Sequence, residues 1–198
     1  DHGVQSLPEW SRVHGAPKAA RIWLGDLADA ASRSLGRRYR TDFGFGFDSG
    51  LLAADTDALA ARGVSVDSLA RTLARAASAR PGVRRVFTPA TLRAAKADDP
   101  EAALWRNQLP PDLGWLLAVV IEPGFAWSLP DRTIAQHGST APRDVAVPIA
   151  FLGPGLGPAR VTRPARTVDI GPTLAALLGI APTEPVDGRV LPEIARPR

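Results

Sequence analysis

Cysteine is absent from all 198 residues, which excludes a disulfide framework and any thiolate-ligated metal site. A metal ion would have to take nitrogen from histidine and oxygen from carboxylate. Methionine is absent too, so no initiator stands anywhere in the chain, which opens on Asp1 and His2. No apolar run approaches the roughly 20 residues that a membrane-crossing helix requires. The longest, LGWLLAVVI at 113–121, has the length of a buried strand, and no membrane segment is expected. Clustered positive charge is also missing. The 24 basic and 20 acidic residues leave a net charge of +4, and arginine supplies most of the basic set, lifting the pI to 10.5. Those arginines are scattered among Asp, Ala and Pro, whereas a nucleic-acid footprint gathers them on one face with aromatic stacking platforms. No nucleic-acid partner is expected, and no internal repeat or low-complexity tract is present.

What remains is a chain that is 45% hydrophobic, enough to fill a core at this length. Leu24, Leu27, Ala28, Ala31 and Leu35 fall at helical spacing and Gly36 is placed to stop the run, predicting a helix over 25–35. TDFGFGFDSGLLA at 41–53 alternates Phe43, Phe45 and Phe47 with Gly44 and Gly46. This period of two puts three rings on one face of an extended segment. Those rings serve either as a stacking platform or as the packing face of a strand. Ser65 precedes a run with Leu69, Leu73 and Ala76 on one stripe, a capped helix over 65–79. A turn then leads into a strand at RPGVRRVFT, a short helix starts at Pro89, and a buried strand covers 115–121. Together these predict an inserted α+β subdomain over 16–132. On the far side, DVAVPIAFLGPGL at 144–156 reads as a buried strand, and TVDIGPTLAALLGI at 167–180 as a helix with Pro172 in its first turn and Gly179 after its last.

Three histidines are present, each followed directly or closely by glycine: His2, His14 and His137. Two His-Gly turns and the extra carboxylate of Asp1 can converge on an oxygen and nitrogen metal site of the kind zinc accepts, because glycine lets the backbone approach closely. His14, in RVHG, reads as structural.

HGSTAPRDVAVPIAFLGPGL at 137–156, followed by VDIGPTLAALLGIAPTEPVDGRVL at 168–191, resembles the C-terminal part of the alkaline phosphatase superfamily. The likeness is to its single-nucleophile phosphatase and nucleotide pyrophosphatase/phosphodiesterase branch. There an Asp-His-Gly turn precedes an inserted subdomain, then His-Gly-Ser, four residues, Asp, two residues and Val-Pro. Here that run is His137, Gly138, Ser139, Asp144, Val147 and Pro148. The resemblance implies an α/β fold, with 1–15 and 133–198 forming part of an alkaline-phosphatase-like core and 16–132 inserted as a cap. It implies a hydrolase acting on a small phosphate ester, with two zinc ions clamping the attacking and leaving oxygens. Asp1, His2 and His137 inherit ligand positions. Asp144 either orients those ligands without touching metal or caps its own element, and the same choice is open for Asp169. Ser139 and Thr140 sit on the wrong turn to be the nucleophile. Asp112 and Gly114, in LPPDLGWLL, stand where relatives often carry Arg-Ser-Gly-Asp. The family's nucleophile, a first Asp ligand and an Asp-x-x-x-His pair precede the Asp-His-Gly turn, and Asp131 lies six residues before His137, the wrong spacing for that pair. The resemblance therefore implies the C-terminal portion of a longer enzyme, inactive by itself, in a periplasmic or secreted setting. The alternative is an inert scaffold or binding remnant of the same fold.

Overall fold

A computed structural model describes residues 2–110, 112–128 and 137–195. The chain divides into two compact units, Asp1–Val147 and Pro148–Arg198.

In the first unit, helix α1 (Pro8–Val13) is followed by β1 (Arg21–Ile22), α2 (Gly25–Tyr39), and the hairpin β2 (Phe45–Asp48) and β3 (Leu51–Ala54). Next come α3 (Thr56–Ala61), α4 (Val66–Ser78), β4 (Val83–Phe87), α5 (Pro89–Ala94), α6 (Pro100–Gln108), β5 (Trp115–Ile121), β6 (Ala126–Trp127) and α7 (Pro142–Val145). Strands β2, β3, β5 and β4 form an antiparallel sheet in that order, and β1 pairs with β6 in parallel. Among the described residues every strand pairing thus falls between 21 and 127.

The apolar continuity of β5 has a structural cause. As an inner strand it is covered on both faces, and a strand covered on both faces reads as an unbroken hydrophobic run. Leu117, Val119 and Ile121 join the cluster formed with α2 and α4, through Leu27, Ala28, Ala70, Leu73 and Ala77. Ala118 and Val120 join Phe87, Leu92, Ala102 and Trp105 on the side of α5 and α6. Local chemistry starts and stops the helices around the sheet. Ser65 caps α4 by accepting from the Ser68 amide, and Asp99 caps α6 from the Glu101 and Ala102 amides. Thr88 and Thr91 form a reciprocal capping pair at the start of α5.

Three expectations are corrected. Gly36 does not end α2, which runs on to Tyr39 and closes on Arg40 in the left-handed region. Leu35 and Tyr39 pack on the core, and that burial outweighs the roughly 1 kcal/mol a helical glycine costs. The buried face of α4 turns on Ala77, which is fully buried, while Ala76 is exposed. The segment 144–156 is not a strand: its first residues end α7 and 146–152 have no regular structure. Half-buried Val147, Ile149 and Phe151 alternate with exposed neighbours as a strand would, but a strand exists only by pairing, and none of the described strands pairs with this segment. The Phe segment resolves in favour of packing. Phe43 is buried against Tyr39, and Phe47 meets Trp23 and Trp127 edge-on at 5.8 and 5.4 Å. The expected subdomain boundary near 132, and Asp131, fall outside the described residues.

In the second unit a 3-10 turn (Thr167–Asp169) leads into α8 (Ile170–Leu178), and α9 spans Pro192–Ala195. Gly179 ends α8 with φ of 68°, as Gly-terminated helices do.

Candidate functional site

The segment before α1 is fastened to the segment around α7 by backbone first. The Gly3 amide donates to the Asp144 carbonyl at 2.8 Å. A β-carbon on Gly3 would lie 1.7 Å from the Arg143 carbonyl oxygen, so only glycine permits this approach. Side chains complete the junction. The Ser139 amide donates to Oδ2 of Asp144 at 2.9 Å, and Gln5 Nε2 donates to Ser139 Oγ at 2.7 Å and to Asp144 Oδ2 at 3.4 Å. Ser139 Oγ also accepts from the Ala141 amide at 3.1 Å, and Arg143 reaches Ser6 Oγ at 3.2 Å. Gln5, Ser139, Thr140 and Asp144 are all buried.

This junction brings two of the candidate ligands together. The rings of His2 and His137 stack with centroids 3.5 Å apart and planes 23° from parallel, and both residues are exposed. Gly138, with φ of 97°, turns the chain sharply after His137. A β-carbon there would meet Ser49 at 2.9 Å. Ser49 and Gly50, both at positive φ, form the tip of the β2–β3 hairpin, which therefore seats against the His137 turn. Nδ1 of His2 lies 2.9 Å from the Gly3 carbonyl oxygen. A carbonyl can only accept, so Nδ1 carries the proton and the ring's lone pair is on Nε2, the tautomer of a metal-ligating histidine.

The donor chemistry fits a divalent cation in part. Two adjacent imidazoles at the surface offer nitrogen donors of the kind zinc accepts. Asp1 lies outside the described residues, and among those described no three His, Cys, Asp or Glu side chains gather as a metal site.

The remaining candidates have structural duties. Asp112 is exposed, and a β-carbon on Gly114 would lie 2.3 Å from the Ala54 carbonyl, so Gly114 serves the seam between β5 and β3. His14 Nδ1 bonds the Trp10 carbonyl at 2.9 Å and its ring stacks on Trp10 at 3.9 Å, at the end of α1. Asp169 orders the second unit. Its carboxylate accepts from the Arg166 and Arg189 amides, each at 2.9 Å, and its carbonyl accepts from Thr173 Oγ1 at 2.6 Å. Those two backbone amides, followed by the positive charges of the same arginines, hold its carboxyl below the usual carboxylate range.

No family model matches the chain. It is 28% identical to alkaline phosphatase PhoK of a Sphingomonas species over 213 aligned residues, covering 98% of this chain and 37% of that protein. It is 29% identical to alkaline phosphatase PhoD of Zymomonas mobilis, covering 96% and 35%. The crystal structure of wild-type alkaline phosphatase PafA superposes with a TM-score of 0.82 at 17% identity, and a multiple mutant of PafA with 0.79 at 18%. In sequence and in fold the chain is thus similar to part of these alkaline phosphatases. It spans little more than a third of the length of these relatives.

At this junction Gln5 is a buried polar residue that the sequence motifs do not point to. Gln5 lies outside the Asp-His-Gly and His-Gly-Ser patterns, and only the packing of one turn on the other gives it partners. The signal available in sequence was slight: a lone glutamine between apolar Val4 and the Leu7–Pro8 helix start.

Proposed function

We propose that this chain is the C-terminal portion of a zinc-dependent phosphomonoesterase, with residues 1–15 and 133–198 belonging to the catalytic core and 16–132 inserted as a cap. The observation that carries the reading is the stacked pair of His2 and His137, delivered by two His-Gly turns from opposite ends of the first unit. The confinement of all described strand pairing to 21–127 supports an insertion with its own core. The printed names of the relatives, alkaline phosphatases all, favour a phosphate monoester over a diester.

On this reading Asp1 and His2 hold one zinc ion, His137 contributes to the second, and Asp144 braces both turns without touching metal. A two-zinc site, when occupied, supplies Lewis-acid charge to the attacking and leaving oxygens of an in-line phosphoryl transfer. This chain's residues fix where that charge can sit. The Gly3 carbonyl orients the His2 ring, Gly138 admits the backbone close to the hairpin tip, and the buried Ser139–Asp144 bond holds the His137 turn. A Thr or Ser nucleophile and the other ligands belong to the portion that precedes this one in the longer proteins.

The test is made on the longer polypeptide that carries such a nucleophile. It should hydrolyse p-nitrophenyl phosphate faster than bis-p-nitrophenyl phosphate, lose activity to EDTA and regain it with zinc. His137→Ala should lower kcat/KM by about 100-fold or more, the scale on which a charge-stabilising group contributes. Equal activity after exhaustive chelation would end the zinc reading, and a diester preference would reassign the substrate.

A further inference from the structure

Resting on the two-turn reading above, we propose that Gln5 is a positioning residue that sets the relative placement of the two histidine ligands. Gln5 comes three residues after His2, and its partner Ser139 two residues after His137. One 2.7 Å hydrogen bond between side chains distant in sequence thus closes the shortest side-chain link between the two turns. The amide orientation is fixed by chemistry. Oδ2 of Asp144 already accepts from the Ser139 amide, so the nitrogen faces it, and its two hydrogens divide between Ser139 Oγ and Asp144 Oδ2. The geometry also selects glutamine. Asparagine is one methylene short, and glutamate would set a second carboxylate against Asp144. Burial of Gln5 and Asp144, at 8% and 4% exposure, makes the link stiff, since hydrogen bonds strengthen where water is excluded. Oδ1 of Asp144 has no partner among the described residues, so without Gln5 the Ser139 amide is the one donor left to that carboxylate. The turns would keep their backbone bond from Gly3 to Asp144 and lose the side-chain bond that fixes their register.

The test uses the 198-residue chain, acetylated at its N-terminus so that the terminal amine cannot compete for metal, with 15N-labelled histidine and titrated with zinc. His14, occupied by Trp10 at the end of α1, is the internal reference. In the 198-residue chain, which lacks the further ligands of the two-zinc site, one ion should lodge between the adjacent His2 and His137 rings, so wild-type His2 and His137 should respond together, at a zinc concentration about tenfold below that for His14. In Gln5→Leu the joint response should break up, the two midpoints separating and moving to that of His14. Gln5→Glu should do the same, because its carboxylate would face Oδ2 of Asp144, which already accepts from the Ser139 amide. A Gln5→Leu chain that melts at a lower temperature but keeps the wild-type midpoints would make Gln5 merely structural and overturn the proposal. If Gln5→Leu does not fold, Gln5→Asn decides, since its amide is one methylene too short to reach Ser139 Oγ: separated midpoints support the proposal, and wild-type midpoints overturn it. A wild-type chain whose His2 and His137 respond no earlier than His14 would instead overturn the zinc reading on which the proposal rests.

Discussion

Single atoms decide the junction of the two turns. Gly3 has no room for a methyl group, since the space its β-carbon would take is filled by the Arg143 carbonyl. Gly3→Ala should therefore push the turns apart and cost about 1–3 kcal/mol, the usual range for overpacking against a structure that yields a little. Urea unfolding would measure the loss, and the nuclear Overhauser contacts between the His2 and His137 rings should vanish with it. Asp169 gives a pH prediction. Its folded carboxyl is depressed by the Arg166 and Arg189 amides, so its contribution is present above the unfolded carboxylate value of about 4 and is lost as pH falls through the lower folded one. Asp169→Asn should lower the melting temperature of the 148–198 unit at neutral pH and flatten its decline as pH falls below about 4. A melting profile as steep in acid as that of the wild type would assign the acid sensitivity to other carboxylates. Asp1, His2, His137 and Asp144 could be picked out of the sequence because they recur in a motif with fixed spacing. Gln5 could not, because a buried amide gains meaning only from the acceptors placed opposite it.

Elements obeyed local signals where those signals were unopposed. The Ser65 cap, the proline-led start of α5 and the Gly179 stop were all readable, since each is a bond between residues a few positions apart. Gly36 was read as a stop for the same reason, yet α2 passes through it because Leu35 and Tyr39 are packed on the core. Its helical dihedrals suit alanine, and a β-carbon there meets only the Thr41 carbonyl at 3.4 Å. Gly36→Ala should stabilise the chain by about 0.5–1 kcal/mol with an unchanged urea m-value, and a destabilised variant would show that the Thr41 contact cannot give. The segment 144–156 was read as a buried strand, and in the structure its burial does alternate along 147–151. Alternation reports that one side of a segment is covered, whereas a strand also needs a partner ladder.

Across the whole molecule the second unit leaves large apolar side chains exposed: Leu152 is fully exposed, Leu178 72% and Ile180 60%. On the proposed reading the preceding part of the enzyme covers these side chains. The 198-residue chain should bind 8-anilinonaphthalene-1-sulfonate with enhanced fluorescence, and the longer polypeptide should not; equal dye binding by both would count against that cover.

By itself the sequence determined the class of the fold, the Ser65-capped helix and the buried strand β5, and it carried the likeness to alkaline phosphatases. All of these rest on periodicity, caps and motif spacing, which act over a few residues. Tertiary structure alone decided that the phenylalanine face is core rather than platform, that α2 outruns its glycine, and that His2 and His137 stack. It also decided that Gln5 bridges the two turns. Each of these depends on which distant segment lies opposite, and packing against a distant surface leaves no periodic trace along the chain.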